Sequence, residues 1–272
     1  MSLRTSFLLL ALLVAASAGV RAADEAAIEG RWTPTQKVIA TDLAVAAFIA
    51  GWGYANWDYG QEHWHARDEG WFGQSTDEGG ADKGGHFYAT YALGRGLTGL
   101  FRHYGYDHDK AVLAGVGSSL GAMMLMELGD GYSPYGYSEE DAAMNLLGAG
   151  AAWLLATQPS LDRKLALRGE YHVNRHEAAD FFTDYERWRY YLVLKLEGFE
   201  AMPEPLRWIE LHSGYFARGY ADDVAGNEQR TTFVGLGFNF SKLAKRAGWK
   251  RTGVFLDYFQ VPHTAWREDN ER

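Results

Sequence analysis

The chain has 272 residues, a formal charge of −9, 15 % aromatic residues and no cysteine. That balance excludes a nucleic-acid binder, which needs clustered Lys and Arg, and the missing thiol excludes disulfide, thiolate-zinc and lipobox-acylation chemistry. The length allows one large domain or two small ones.

Residues 1–22 read as a secretory signal. Arg4 supplies the positive start, Phe7 to Val14 the apolar stretch, and Val20-Arg21-Ala22 a small-residue cleavage site. Removing this segment takes away Arg4 and Arg21 and no acid, which moves the charge to −11. The expectation is an exported protein of the periplasm or outer membrane in a Gram-negative-type bacterium. A polar leader then runs to Pro34, and a helix is expected from Thr35 to about Tyr54. Residues 55–81 form a long loop rich in Trp, Gly, His and acids. Loops of that length inside a compact domain are commonly functional.

Three further helices are expected at about 86–102, 111–128 and 139–156, with Asp82, Asp109 and Ser138 as their caps. In the second of them Gly115, Ser118, Ser119, Gly121 and Ala122 allow close backbone approach. If the three helices run antiparallel, His86, Glu127, Asp130 and Asp141 meet at one end. Asp82 precedes His86 by four residues and can orient its imidazole. Glu127 and Asp130 at a helix C-terminus oppose the helix dipole and call for a partner, either Lys83 or a cation. An oxygen-rich set of Glu127, Asp130 and Asp141, with Asn145 and one histidine, suits a hard divalent ion such as Mg or Ca. A hydrogen-bonded network locking three helix ends is the structural alternative. In a catalytic version His86 is the general base, with Asp82 and Lys83 beside it. Trp71, Phe72 and Tyr135, with Ser138 and Asn145, are the binding candidates around this end, where aromatic side chains can stack on a sugar or sit at a headgroup layer.

Beyond residue 160 the pattern changes. Residues 160–185 read as polar and partly helical. Strands are expected at Trp188–Leu196, Trp208–Tyr220, Thr231–Phe240 and Thr252–Gln260, with a short basic helix around 241–247. The fold class is therefore α+β. It comprises an N-terminal antiparallel helical bundle of about four helices (domain 23–160) and a C-terminal antiparallel sheet of about four strands (161–272). The helical runs fall just short of the ~20 apolar residues that span a bilayer, and Asp42 and Arg95 interrupt two of them. The basic end of the bundle would also sit in the cytoplasm by the positive-inside rule, opposite to what a cleaved signal requires. These two points favour a protein lying in or against the envelope without crossing the inner membrane.

The order Asp82-Lys83-x-x-His86-Phe87, Glu127-x-x-Asp130 and Gly136-x-Ser138-x-x-Asp141-x-x-x-Asn145-x-x-Gly148 resembles the YfiM-like family of predicted periplasmic lipoproteins. It is also similar to the VanZ-like membrane family. The resemblance covers residues 70–157 well and 185–262 loosely, and it implies an envelope location without implying a reaction. The expected role is binding or structural, with a lipid, glycan or envelope protein as partner. The alternatives are a metal-assisted hydrolase or transferase on a lipid-linked substrate, and an outer-membrane component whose strand face Thr232, Val234, Leu236, Phe238, Phe240 meets lipid.

Overall fold

A computed structural model describes residues 32–172, 181–220 and 226–271. The signal segment 1–22 and the leader up to residue 31 lie outside the described residues. The fold is α+β, with helices first and an antiparallel sheet after them.

Helix α1 spans Pro34–Asn56. Thr33 and Gln36 form a reciprocal capping box, the Thr33 hydroxyl accepting from the Gln36 amide at 3.3 Å and the Gln36 side chain from the Thr33 amide at 2.8 Å. Helices α2 (Ala81–His103), α3 (His108–Asp130) and α4 (Glu139–Thr157) follow, then the single turn α5 (Pro159–Asp162). Two expected caps are displaced. Gly80, at φ 86°, is the N-cap of α2, and Asp82 sits inside its first turn. Asp107, not Asp109, caps α3 by accepting from the Lys110 amide at 2.9 Å. An acid one turn further in still complements the helix dipole, which is why the two readings look alike in sequence. Ser138 caps α4 as expected, accepting from the Asp141 amide at 3.2 Å.

The sheet has five strands in the order β1 (Leu165–Tyr171), β2 (Trp188–Lys195), β3 (Ile209–Arg218), β4 (Gln229–Phe238) and β5 (Ala265–Glu271). Every neighbouring pair is antiparallel. Two sequence expectations fail here. Residues 165–171 are a strand rather than part of a polar, partly helical stretch, because Arg168 and Glu170 are buried charges on the strand's inner face. Residues 252–260 are not a strand. Helix α7 (Lys250–Phe255) and a turn occupy them, and Phe255 stacks on Phe259, four residues on, at 4.5 Å. The basic helix is α6 (Phe240–Arg246), capped by Asn239, whose side chain accepts from the Lys242 amide at 2.7 Å.

Helix α2 is the central element. It touches α3 and α4 and also β1, β2 and β3, while α1 lies along α3. Tyr88 and Tyr91 of α2 pack with Ala152, Leu155 and Trp188 in one core cluster, and Leu97 and Phe101 with Val38 and Ala111 in another. Of the small residues in α3, Gly115 and Ser119 lie against α2, whereas Gly121 faces open space. Alternation along the strands separates two sheet faces. One carries Ala166, Tyr191, Val193, Phe216 and Phe233 as a buried cluster. The other packs Tyr190 against α2 and leaves Val234, Leu236 and Phe238 exposed.

Candidate functional site

The N-terminal turn of α2, the C-terminal turn of α3 and the start of α4 lie together, because three antiparallel helices joined by short connections bring alternate ends side by side. His86 Nδ1 lies 3.0 Å from Glu127 Oε1, and His86 Nε2 lies 3.9 Å from Asp141 Oδ2. Lys83 Nζ lies 3.0 Å from Asp141 Oδ1, 2.7 Å from Asp82 and 2.6 Å from Glu69. Asn145 donates to Glu127 Oε1 at 3.3 Å and accepts from the Thr90 hydroxyl at 2.8 Å, which extends the chain of contacts along α2. Lys83 thus serves Glu69, Asp82 and Asp141 rather than Glu127 and Asp130, for which it was one of the two candidate partners. Lys83 and Asn145 are 0 % exposed, Glu127 1 %, Asp141 5 % and His86 6 %.

The Gly84-Gly85 pair is required by what lies above it. A Cβ on Gly84 would meet the Tyr190 ring at 2.5 Å, and one on Gly85 the Tyr185 ring at 2.6 Å. The sheet region therefore roofs the first turn of α2 with two tyrosines. Burial and the nearby Asp141 and Asp82 hold the Tyr185 hydroxyl well above its usual pKa. On the other side, Gly148 of α4 passes close to the Phe87 carbonyl of α2.

Charge at this end is unbalanced. Glu69, Asp82, Glu127, Asp130 and Asp141 face Lys83 and His86. Burial and then Glu127 raise Asp130 to about 8, so at neutral pH four carboxylates face two bases, leaving negative charge in a region where burial of unpaired charge is costly. The loop carboxyls register that field. Burial, together with Asp141, raises Glu69 to about 6 against the pull of Lys83. Burial and then Asp82 raise Glu78 to about 8. Alignment is also incomplete. His86 Nδ1 and Asp141 Oδ1 approach Glu127 and Lys83 closely, yet neither makes a well-directed hydrogen bond.

Two triplets offer one ligand atom each within 4.8 Å of one another: His86, Glu127 and Asp141, and Glu69, Asp82 and Asp141. The first is buried throughout; the second is half-buried at Glu69 and Asp82. Asp130 stands beside Glu127 and the Tyr59 hydroxyl, and that hydroxyl donates to the Met126 carbonyl at 3.0 Å. Ser138 is a cap, with its hydroxyl spent on Asp141 and Glu140. Trp71, Phe72 and Tyr135 lie exposed, and Phe72 packs edge-on to Tyr215 at 5.4 Å. Sequence reasoning missed Glu69 as a cluster member. It sits in an irregular loop with no periodicity, and the only signal was its membership of a run of acids at this end.

No curated protein and no solved structure matches the chain. Residues 68–157 match a family model described as "Predicted periplasmic lipoprotein (DUF2279)". The matched stretch runs from the loop carrying Glu69 to the end of α4, so it contains every member of the cluster. The likeness to VanZ-like proteins gains no support from it. The description agrees with the YfiM-like resemblance and with an exported protein of the periplasm or outer membrane.

Proposed function

We propose that the protein is a non-catalytic envelope component whose buried helix ends take up a hard divalent cation such as Mg or Ca. One observation carries this reading: His86, Glu127 and Asp141 converge within 4.8 Å, all buried. An incoming ion would use the surplus of carboxylates, displace the proton that Asp141 and Glu127 hold on His86 and tie α2, α3 and α4 together at one point. Burial of all three side chains suits a small ion better than a sugar or headgroup. Packing of His86 against Glu127 likewise suits ion binding better than general-base attack on a lipid-linked substrate. A glycan or lipid headgroup can instead reach the exposed Trp71, Phe72 and Tyr135 beside the cluster.

The test is metal analysis of the purified full chain, followed by thermal unfolding with and without Mg or Ca, on wild type and on Glu127→Gln. The expected result is an ion-dependent rise in Tm for wild type that the variant loses. An equal rise in both, or none in either, overturns the cation reading. The second outcome with a destabilised Glu127→Gln points to the purely hydrogen-bonded lock.

A further inference from the structure

The outward surfaces of α1, α3 and α4 are apolar over a common height. Leu43 of α1 is 65 % exposed, Leu113 of α3 74 % and Leu147 of α4 58 %. Around them Ile39, Tyr54, Leu128, Leu146 and Trp153 are exposed as well. Of an 18-residue apolar window of α1, only 11 % is buried, so most of this helix's apolar surface has no covering from the rest of the described residues. Single exposed leucines are ordinary, but a continuous apolar surface over three neighbouring helices calls for a covering.

Charge placement identifies the covering. Between Lys110 and Glu127 α3 carries no charged residue, and between Asp141 and Asp162 the chain is again uncharged. Ala111 to Met126 and Ala142 to Thr157 are each 16 residues, or about 24 Å of helix at 1.5 Å per residue. In α1 the charges are Lys37, in its first turn, and Asp42, half-buried with one carboxylate oxygen shielded from solvent. The exposed faces of α1, α3 and α4 thus share one charge-free belt, close in height to the ~30 Å hydrocarbon core of a bilayer. Arg102, Lys110 and Arg163 border it at one end, and Glu62, Glu69 and Glu139 at the other. Exposed Trp32 and Trp153 lie toward the first border, and Tyr54, Trp64 and Tyr132 toward the second. Aromatic side chains at both borders of an uncharged belt are the arrangement of a membrane-embedded surface. A protein interface has no reason to keep one height on three helices or to end at an aromatic border on both sides.

We propose that the outer faces of α1, α3 and α4 form a lipid-facing belt seated in the hydrocarbon of an envelope bilayer. Only inward-facing or border positions of these helices carry charge, and the buried cluster around His86 lies at the acidic border, where ions enter from water. The belt is independent of whether a cation occupies that cluster.

The absence of cysteine makes the test direct. The full chain is prepared as single-cysteine variants Leu43→Cys, Leu113→Cys and Leu147→Cys, with Glu62→Cys and Ser160→Cys as border controls. Each is labelled with an environment-sensitive fluorophore and reconstituted in phosphatidylethanolamine–phosphatidylglycerol vesicles. The expected result is quenching of the three belt labels by doxyl-acyl lipid and not by iodide, with the reverse at Glu62 and Ser160. The chain also stays in the pellet after an alkaline carbonate wash. Release by carbonate, or iodide quenching at the belt, overturns the proposal. Belt labels shielded from iodide without doxyl quenching overturn it too, since a second copy or another protein then covers the helices.

Discussion

The protein buries two groups of charges, and they are built on opposite terms. In the sheet, Arg168 grips Glu210 with two bonds at 2.6 and 2.8 Å, and Gln260 accepts a third from the same arginine at 3.1 Å. Glu170 accepts from Arg189 at 3.0 Å, Arg267 at 3.1 Å and the Tyr191 hydroxyl at 2.5 Å, with His172 beside it. There two acids meet three arginines in bidentate or multiple contact, so bases outnumber acids. At the helix ends, five acids share one lysine and one histidine. A set in which arginines outnumber the acids has no carboxylate left for a cation. A set with negative charge to spare can hold the fold together and still accept something, and that difference separates a structural network from a binding site among residues of the same types.

The largest effect is expected in the matched set. Glu210→Gln strands Arg168, whose side chain is 3 % exposed, and breaking a buried pair in this way costs about 3–5 kcal/mol. Urea unfolding measures it, and the loss is the same with or without Mg or Ca. Gly84→Ala comes next. The added methyl meets the Tyr190 ring at 2.5 Å, and overpacking of this kind costs about 1–3 kcal/mol. Because Gly84 adjoins Lys83, the variant also weakens the ion-dependent stabilisation, whereas a substitution confined to the sheet does not. Glu127→Gln is expected to show the contrast most sharply: a smaller loss than Glu210→Gln without added ion, and loss of the ion-dependent gain. That gain is about 2.7 kcal/mol for wild type when the ion is present at 100 times its Kd. Equal behaviour of Glu127→Gln and Glu210→Gln toward added ion would erase the distinction between the two regions.

Much of this comparison was legible in the sequence, and the illegible part has a physical pattern. Helices α2 to α4 announced themselves by apolar periodicity, and antiparallel packing brought His86, Glu127 and Asp141 to one end. Strands β2, β3 and β4 alternate cleanly and were placed within a residue or two. Strand β1 was hidden because its inward side chains, Arg168 and Glu170, look like surface residues until their partners from other strands are known. The stretch 252–260 misled in the opposite sense. Its aromatics are spaced for a helical stack as much as for a strand, and the contact of Asp257 with Ser241 and Lys245 is a tertiary fact. Glu69 and the two roofing tyrosines, Tyr185 and Tyr190, reach the cluster from irregular or distant segments, and no local spacing encodes that approach.

The smallest expected effect concerns pH, and it runs in opposite directions in the two regions. Burial alone would raise Glu170, but hydrogen bonds from His172, Tyr191 and Arg267 bring its carboxyl down to about 2 from 4.5. A carboxyl lowered by folding contributes stability above its unfolded value, and that contribution fades as pH falls from about 4.5 toward 2. Glu78, beside the acidic end, behaves inversely. Its carboxyl is raised from 4.5 to about 8 by burial and then by Asp82. The folded state therefore holds this proton more tightly than the unfolded chain, and the resulting stability is present at acid pH and lost as pH rises through about 8. Glu78→Gln keeps the neutral form at every pH, so the variant lessens the decline in stability between pH 5 and 8, which Asp130 and Glu69 share, and leaves the acid limb below pH 4.5 unchanged. Urea midpoints across that range read both limbs in one series. Asp130 and Glu69, raised to about 8 and about 6, carry the remainder of the decline, so a Glu78→Gln curve identical to that of wild type would show that the fold does not hold the Glu78 proton.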